Sequence, residues 1–388
     1  NNVITALSAL VIIIFFIPYT ASGFAACGKL FNSLFGINYQ VAMMLSALLI
    51  VGYTITGGFN AVCVTDLVQS IVMTGALAIV LIYGISSAGG WTAVMDNAAA
   101  LPGYLSLTST FDVASGSEVK YNFLTIFSTA AWGLGYFGMP HILVRFMAIE
   151  DEKKLVLSRR IASVWVVIAM TAGVLIGIVG LGMTKAGALE TLTGSNSETI
   201  IVRIAGIISQ HNALTALIAG IILAGILAAT MSTADSQMLA AASGVSQNIV
   251  HDFLKIKISE KTNLLIARLT IVGIAIVSIF LARNPDSSVF KIVSFAWAGF
   301  GGAFGAVVLC SLFWKRCNLA GAIAGIISGG ATVFIWKYLI RPLGGILDIY
   351  ELLPAFIVSL IFIIVVSLLT KAPDEEIVRE FEAASQKA

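Results

Sequence analysis

The run Ala228-Ala229-Thr230-Met231-Ser232-Thr233-Ala234-Asp235-Ser236-Gln237 gathers hydroxyls and one carboxylate inside a stretch otherwise built of Leu, Ile, Ala and Gly. With Ser232 as origin on a helix, Ser243 falls at about 20°, Ser236 at about 40°, Ala229 at about 60°, Thr233 at about 100° and Asp235 at about −60°. A hard monovalent cation such as Na⁺ needs several oxygen ligands at short range. Ser and Thr hydroxyls, a carbonyl freed near Ala229 and the Asp235 carboxylate can supply them. The same hydroxyls could instead bond back to their own helix and pack. Ser243 reads that way, and the Ser232, Thr233, Asp235 and Ser236 cluster reads as an ion site.

A second constellation is Trp132-Gly-Leu-Gly-Tyr136-Phe-Gly-Met-Pro140-His141. Three glycines and a proline in so short a run predict an interrupted helix, because Gly is conformationally loose and Pro removes a donor. Trp132 and Tyr136, four residues apart, would share a helical face, enclose a small apolar ring and attract an ammonium group. A proline kink with aromatic packing is the alternative. His141 and Arg145 read as structural pairing. In the third constellation, Asp66 and Gln69 lie one turn apart at the start of an apolar run. There a carboxylate either caps the helix or meets a departing ion, and the sequence leaves both open. Tyr19, after Pro18, is a lone aromatic in an aliphatic stretch. The segment Phe295 to Gly305 reads as close helix packing, with a hinge as the alternative.

The elements that hold these residues must cross a bilayer. Of 388 residues 59% are hydrophobic and 11% charged, and the mean hydropathy is +0.99, which excludes a soluble domain of this size. The net charge of +2 comes with no basic stripe, which leaves no footprint for nucleic acid. Cys27, Cys63, Cys310 and Cys317 form no C-x-x-C pair, and three histidines carry no zinc or haem pattern. Ten runs reach the roughly 20 residues needed to span, near 3–27, 39–57, 64–87, 121–147, 160–184, 213–246, 264–283, 288–314, 318–340 and 351–370. Small-residue pairs such as Gly173/Gly177 and Gly321/Gly325 would let helix backbones approach closely. Taking the connections alternately, 14 of the 22 Lys and Arg fall on one side, which places both ends of the chain in the cytoplasm. Residues 88–120 then form an extracellular loop with a short helix. The chain opens Asn1-Asn2-Val3, with neither Met nor a signal-peptide n-region, and reads as cut from something longer.

Together these stretches resemble the sodium/proline symporter branch of the solute:sodium symporter family. The resemblance runs through Ser8-Ala-Leu-Val-Ile, Gly57-Gly-Phe, Thr65-Asp66-Leu-Val-Gln69, Trp132 to Phe146, Met231-Ser-Thr and Ala296-Trp-Ala-Gly-Phe-Gly. The Trp132 to His141 run points to the proline branch rather than to sugar or pantothenate relatives. The resemblance implies an all-α membrane protein of about ten transmembrane helices in the inverted five-helix-repeat (LeuT-like) fold, lacking the first helices. Residues 1–87 would be the last three helices of the first repeat and 88–120 an extracellular loop. Residues 121–316 would be the second repeat, 317–370 two peripheral helices and 371–388 a cytoplasmic tail. It further implies that Ser232 and Thr233 give side-chain oxygens and Ala229 its carbonyl to Na⁺, and that Asp66 affects Na⁺ binding or release. Tyr19, Trp132, Tyr136 and Pro140 would surround proline. Asp235 and Ser236 match a second Na⁺ position in some relatives, although Asp235 replaces the serine often seen there.

The expected activity is Na⁺-coupled symport of L-proline into the cell by alternating access, in a multi-pass cell-membrane protein. Its partners are Na⁺, proline and lipid. Another small carboxylate-bearing solute, such as a different amino acid or pantothenate, is the alternative within transporters. A membrane sensor module would need a signalling domain, and only 18 residues follow the last span. An enzyme would need a nucleophile–base or metal constellation, and no span carries one.

Overall fold

Apolar stretches with few breakers become long helices here. The computed structural model describes residues 2–57 and 59–387. In chain order the elements are α1 (Asn2–Phe35), α2 (Tyr39–Thr56), α3 (Phe59–Ser87), α4 (Trp91–Ala99), β1 (Ser109–Asp112), β2 (Ser117–Lys120), α5 (Phe123–Ala130), α6 (Pro140–Met147), α7 (Lys154–Lys185), α8 (Ile200–Ser209), α9 (Ala213–Ser243), α10 (Glu260–Ala282), α11 (Val289–Phe300), α12 (Ala306–Phe313), α13 (Leu319–Ile335), α14 (Leu352–Leu369) and α15 (Glu375–Lys387). Among the described residues nine helical segments are long and apolar enough to cross a membrane. The tenth expected span, 121–147, is broken into α5, a 3₁₀ segment at Ala131–Gly138 and α6, with Pro140 as the first residue of α6. Pro there loses no intrahelical bond, since the first N–H groups of a helix have no partner anyway.

Two packing units share α9. Its first half (Ala219, Ile222) packs with α3, α4, α7 and α8. Its second half (Ala234, Met238, Ala241) packs with α1, α2 and α10 to α14. The polar run 229–237 therefore lies where one unit hands over to the other. The apolar stretch of Val289–Phe313 is mostly buried inside the protein and that of Ala61–Ser87 mostly is not, so the former is a central helix and the latter a peripheral one.

Glycines bring the irregular segments together. Within Val289–Phe313 the backbone loosens to a π-helix at Gly301–Gly305, packed against the 3₁₀ segment 131–138. A Cβ on Gly138 would meet the Phe300 carbonyl carbon at 2.8 Å and the Gly305 nitrogen at 2.9 Å. Gly321 and Gly325 lie against Ser367 and Ile363 of α14, as their spacing predicted, whereas Gly173 and Gly177 face no neighbour. Those two lie off the stripe of Ala172, Ile176, Val179 and Met183 that buries α7.

The 88–120 connection holds the expected short helix, α4, and also an antiparallel β1–β2 hairpin that the sequence reading lacked. Asp112 accepts hydrogen bonds from the backbone of Ala114 and Ser115, and Gly116 takes φ +65° to close the turn. Pro18 sits inside α1 without ending it, and Ser278 of α10 donates to the adjoining Ile17 carbonyl at 2.9 Å.

Candidate functional site

Ser232 and Thr233 each turn their hydroxyl back onto the carbonyl of Ala229, at 3.2 and 3.1 Å. The bonding back onto the helix that the sequence set beside ion binding is thus present within one turn of α9. Each hydroxyl spends its proton on that carbonyl and keeps its lone pairs for another partner. Ala229 and Thr233 line a cavity of about 220 Å³ whose opposite wall includes Tyr19 and Ser22 of α1.

The rest of the polar run points elsewhere, because the run covers more than one face. Asp235 lies about 160° round the helix from Thr233, fully buried. The Tyr53 hydroxyl of α2 sits 2.9 Å from its Oδ2 and 3.1 Å from the Met231 carbonyl oxygen. Asp235 thus ties α9 to α2 and does not share the cavity of Thr233. Ser236 faces a third direction, into a cavity of about 450 Å³ lined also by Pro140, His141 and Arg145.

Asp66 is the eighth residue of α3, since the helix begins at Phe59 rather than near residue 64. The helix-cap reading therefore fails. Its Oδ2 instead pairs with the Arg145 guanidinium, and the same nitrogen donates to Ser236 Oγ at 2.8 Å. Arg145 thus does the pairing expected of it, between α3, α6 and α9. Its positive charge stands between Asp66 and Ser236, the latter being one of the two residues, with Asp235, matched to a possible second ion. Asp66 Oδ1 and Gln69 Oε1 stay buried without a partner.

Of the four residues expected around the solute, Tyr19, Pro140 and Trp132 border three separate cavities. Tyr19 lines the 220 Å³ cavity and meets the His141 ring edge-on at 6.1 Å. Pro140 lines the 450 Å³ cavity. Trp132 borders a cavity of about 710 Å³ with Lys291, Lys337 and Tyr350. It stacks on Trp297, Phe290 and Tyr350 at 5.2, 5.5 and 5.7 Å. Tyr136 is 42% exposed and meets Trp297 edge-on at 4.7 Å. Trp132 and Tyr136 do not share a face, because three residues per 3₁₀ turn set positions four apart about 120° apart. Trp297 joins them, with its Nε1 donating to the Trp132 carbonyl at 2.9 Å. The sequence reading took Trp297 only as part of the close-packing segment Phe295 to Gly305 and gave it no place at the site, although a tryptophan set among Ala and Gly is a visible signal.

Glu198, in the connection before α8, was also missed. Its carboxylate takes hydrogen bonds from Lys29 Nζ at 2.8 Å, Ser288 Oγ at 2.7 Å and the backbone of Val289 and Phe290 at 3.1 and 3.3 Å. It closes the N-terminus of α11 against the end of α1, an arrangement that the helix dipole favours.

Comparison with known proteins follows the same lines. The Sodium:solute symporter family pattern matches residues 1–329. The osmoregulated proline transporter OpuE of Bacillus subtilis is 39% identical over 381 residues, which cover 98% of this chain and 74% of that protein. A sodium/proline symporter of Staphylococcus aureus is 38% identical over 379 residues, 96% of this chain and 71% of that protein. Among solved structures, a Na⁺-coupled sialic acid symporter in a substrate-bound outward-open state superposes with TM-score 0.72. The match covers 95% of this chain and 75% of that one at 18% identity, a likeness of fold.

Proposed function

This chain belongs to the sodium:solute symporter family, and from that membership we propose that it serves Na⁺-coupled symport of L-proline by alternating access, a transport activity and not an enzymatic one. The observation that carries the reading is that Ala229 and Thr233 line a cavity shared with Tyr19, with the Ser232 hydroxyl on the same Ala229 carbonyl. Three oxygens at one helix turn suit a hard cation that must be released again, and the relatives at 38% and 39% identity are named for proline.

In this reading residues 1–87 and 121–316 are the two repeat portions, and 317–370 are peripheral. Both chain ends face the cytoplasm across the cell membrane, which the excess of Lys and Arg on that side supports. The 3₁₀ segment at Ala131–Gly138 and the π-helix at Gly301–Gly305 lie back to back in the central helices, and irregular backbone of this kind gives a rocking motion a place to bend. Na⁺ orders the site, the solute binds beside it, and the two affinities are reciprocally coupled. The driving force is ample. About 2.3 kcal/mol per charge at 100 mV and about 1.4 kcal/mol per tenfold Na⁺ gradient support a solute gradient of several hundredfold.

The test is uptake of labelled proline by the complete gene product in cells lacking proline carriers. Uptake should require Na⁺, and Ser232→Ala and Thr233→Ala should each raise the Na⁺ concentration for half-maximal rate. Uptake indifferent to Na⁺, or wild-type Na⁺ dependence in both variants, would overturn the assignment.

A further inference from the structure

Gln237 sits one turn beyond Thr233, on the side of α9 that faces α1, and it is fully buried. Thr20 of α1, also fully buried, donates its hydroxyl proton to Gln237 Oε1 at 3.2 Å. The amide is met at its oxygen end by the hydroxyl. Its acceptor end is engaged, and its Nε2 is left with donors and no partner. Buried donors are rarely left so, and Gln237 is among the residues that line the 220 Å³ cavity with Ala229, Thr233 and Tyr19.

An amide nitrogen offers protons and no lone pair, so it cannot ligate Na⁺. What it can take is an acceptor, and a carboxylate oxygen is the strongest that a small amphoteric solute carries. The cavity thus offers oxygen ligands at Ala229 and Thr233 and a hydrogen-bond donor one turn further along the same face.

Resting on the symport reading above, we infer that Gln237 Nε2 binds the carboxylate of the transported solute and that Thr20 is the positioning residue that aims it. Selection for a carboxylate-bearing solute then resides partly in α9, beside the ion ligands.

The experiment measures labelled-proline uptake and its inhibition by L-prolinol, which lacks the carboxylate, in wild type, Gln237→Met and Thr20→Val. Loss of one charge-assisted hydrogen bond should raise the proline KM about 10- to 100-fold in Gln237→Met. Inhibition by prolinol and the Na⁺ half-saturation at saturating proline should stay within about twofold. Thr20→Val should shift proline over prolinol selectivity in the same direction by a smaller factor, and it decides the matter if Gln237→Met fails to reach the membrane. An unchanged proline-to-prolinol ratio in the folded variants, or equal losses for both ligands, overturns the inference and leaves Na⁺-coupled transport intact. A wild type without Na⁺-dependent proline uptake overturns the symport reading instead.

Discussion

Arg145 and Asp66 form an ion pair between α6 and α3, and the guanidinium nitrogen that makes it also donates to Ser236 of α9 at 2.8 Å. One side chain thus joins three helices at the edge of the 450 Å³ cavity. The Asp66 side chain is 15% exposed, so removing Arg145 alone strands a carboxylate in a poorly solvated place. Arg145→Gln and Asp66→Asn should each impair Na⁺-dependent uptake, and the double variant should recover part of the loss. A double-mutant cycle on thermal unfolding in detergent should give a coupling energy of about 1–3 kcal/mol. Strict additivity would mean that the pair is incidental and that Asp66 acts on its own.

Tyr53 supplies the hydrogen bond that Asp235 Oδ2 receives from α2. Phenylalanine keeps the ring and leaves that buried oxygen without its donor, which costs about 1–3 kcal/mol. Tyr53→Phe should therefore lower the unfolding temperature, while Tyr53→Phe combined with Asp235→Ala should lower it by less than the two single changes together. If Tyr53→Phe unfolded at the wild-type temperature, the bond would carry no net stability.

Much of this architecture was legible in advance because lipid imposes simple rules. Each span needs about 20 apolar residues, and the Gly and Pro density of 132–140 was enough to predict the break that the 3₁₀ segment makes. The bonds from Ser232 and Thr233 to the Ala229 carbonyl are the local alternative that the sequence already offered beside an ion site. Direction was harder to read. Residues 229–237 looked like one polar face, yet Thr233, Ser236 and Asp235 turn to α1, α6 and α2. A helical wheel gives angles on one helix and says nothing of how many neighbours surround it. The partners Arg145, Tyr53, Trp297 and Thr20 lie far away in sequence, and no periodicity links them to the residues they contact.

Gly138 packs its backbone against that of Phe300 and Gly305, at distances a Cβ cannot share. Because the opposing atoms are main chain, no rotamer change can relieve the clash, and overpacking of this kind costs about 1–3 kcal/mol or more. Gly138→Ala should reduce the yield of folded protein and slow transport. Gly133→Ala, on the same segment but with open space at its Cβ, should leave yield near wild type. Equal behaviour of the two variants, measured by size-exclusion profile in detergent and by uptake, would remove the close approach as the cause.

Glu198 offers a pH signature. Burial pushes its carboxyl pKa up, but hydrogen bonds from Lys29, Ser288, Val289 and Phe290 outweigh that and hold it below the ordinary 4.5. A carboxylate whose folded pKa is depressed adds stability that is fully present above the unfolded value and is lost as pH falls through the folded one. Glu198→Gln lacks the charge at every pH, so its deficit relative to wild type, about 1–3 kcal/mol for charge-assisted bonds, should be constant from pH 7 down to about 5. It should shrink only below the ordinary 4.5, as the wild-type carboxylate takes up its proton. Lys29→Met should show a smaller deficit that fades over the same range, because the backbone donors at Val289 and Phe290 remain. Thermal unfolding in detergent between about pH 3.5 and 7 reads both curves, and a Glu198→Gln deficit unchanged at the acid end would show that the carboxylate charge does not fasten α11 to α1.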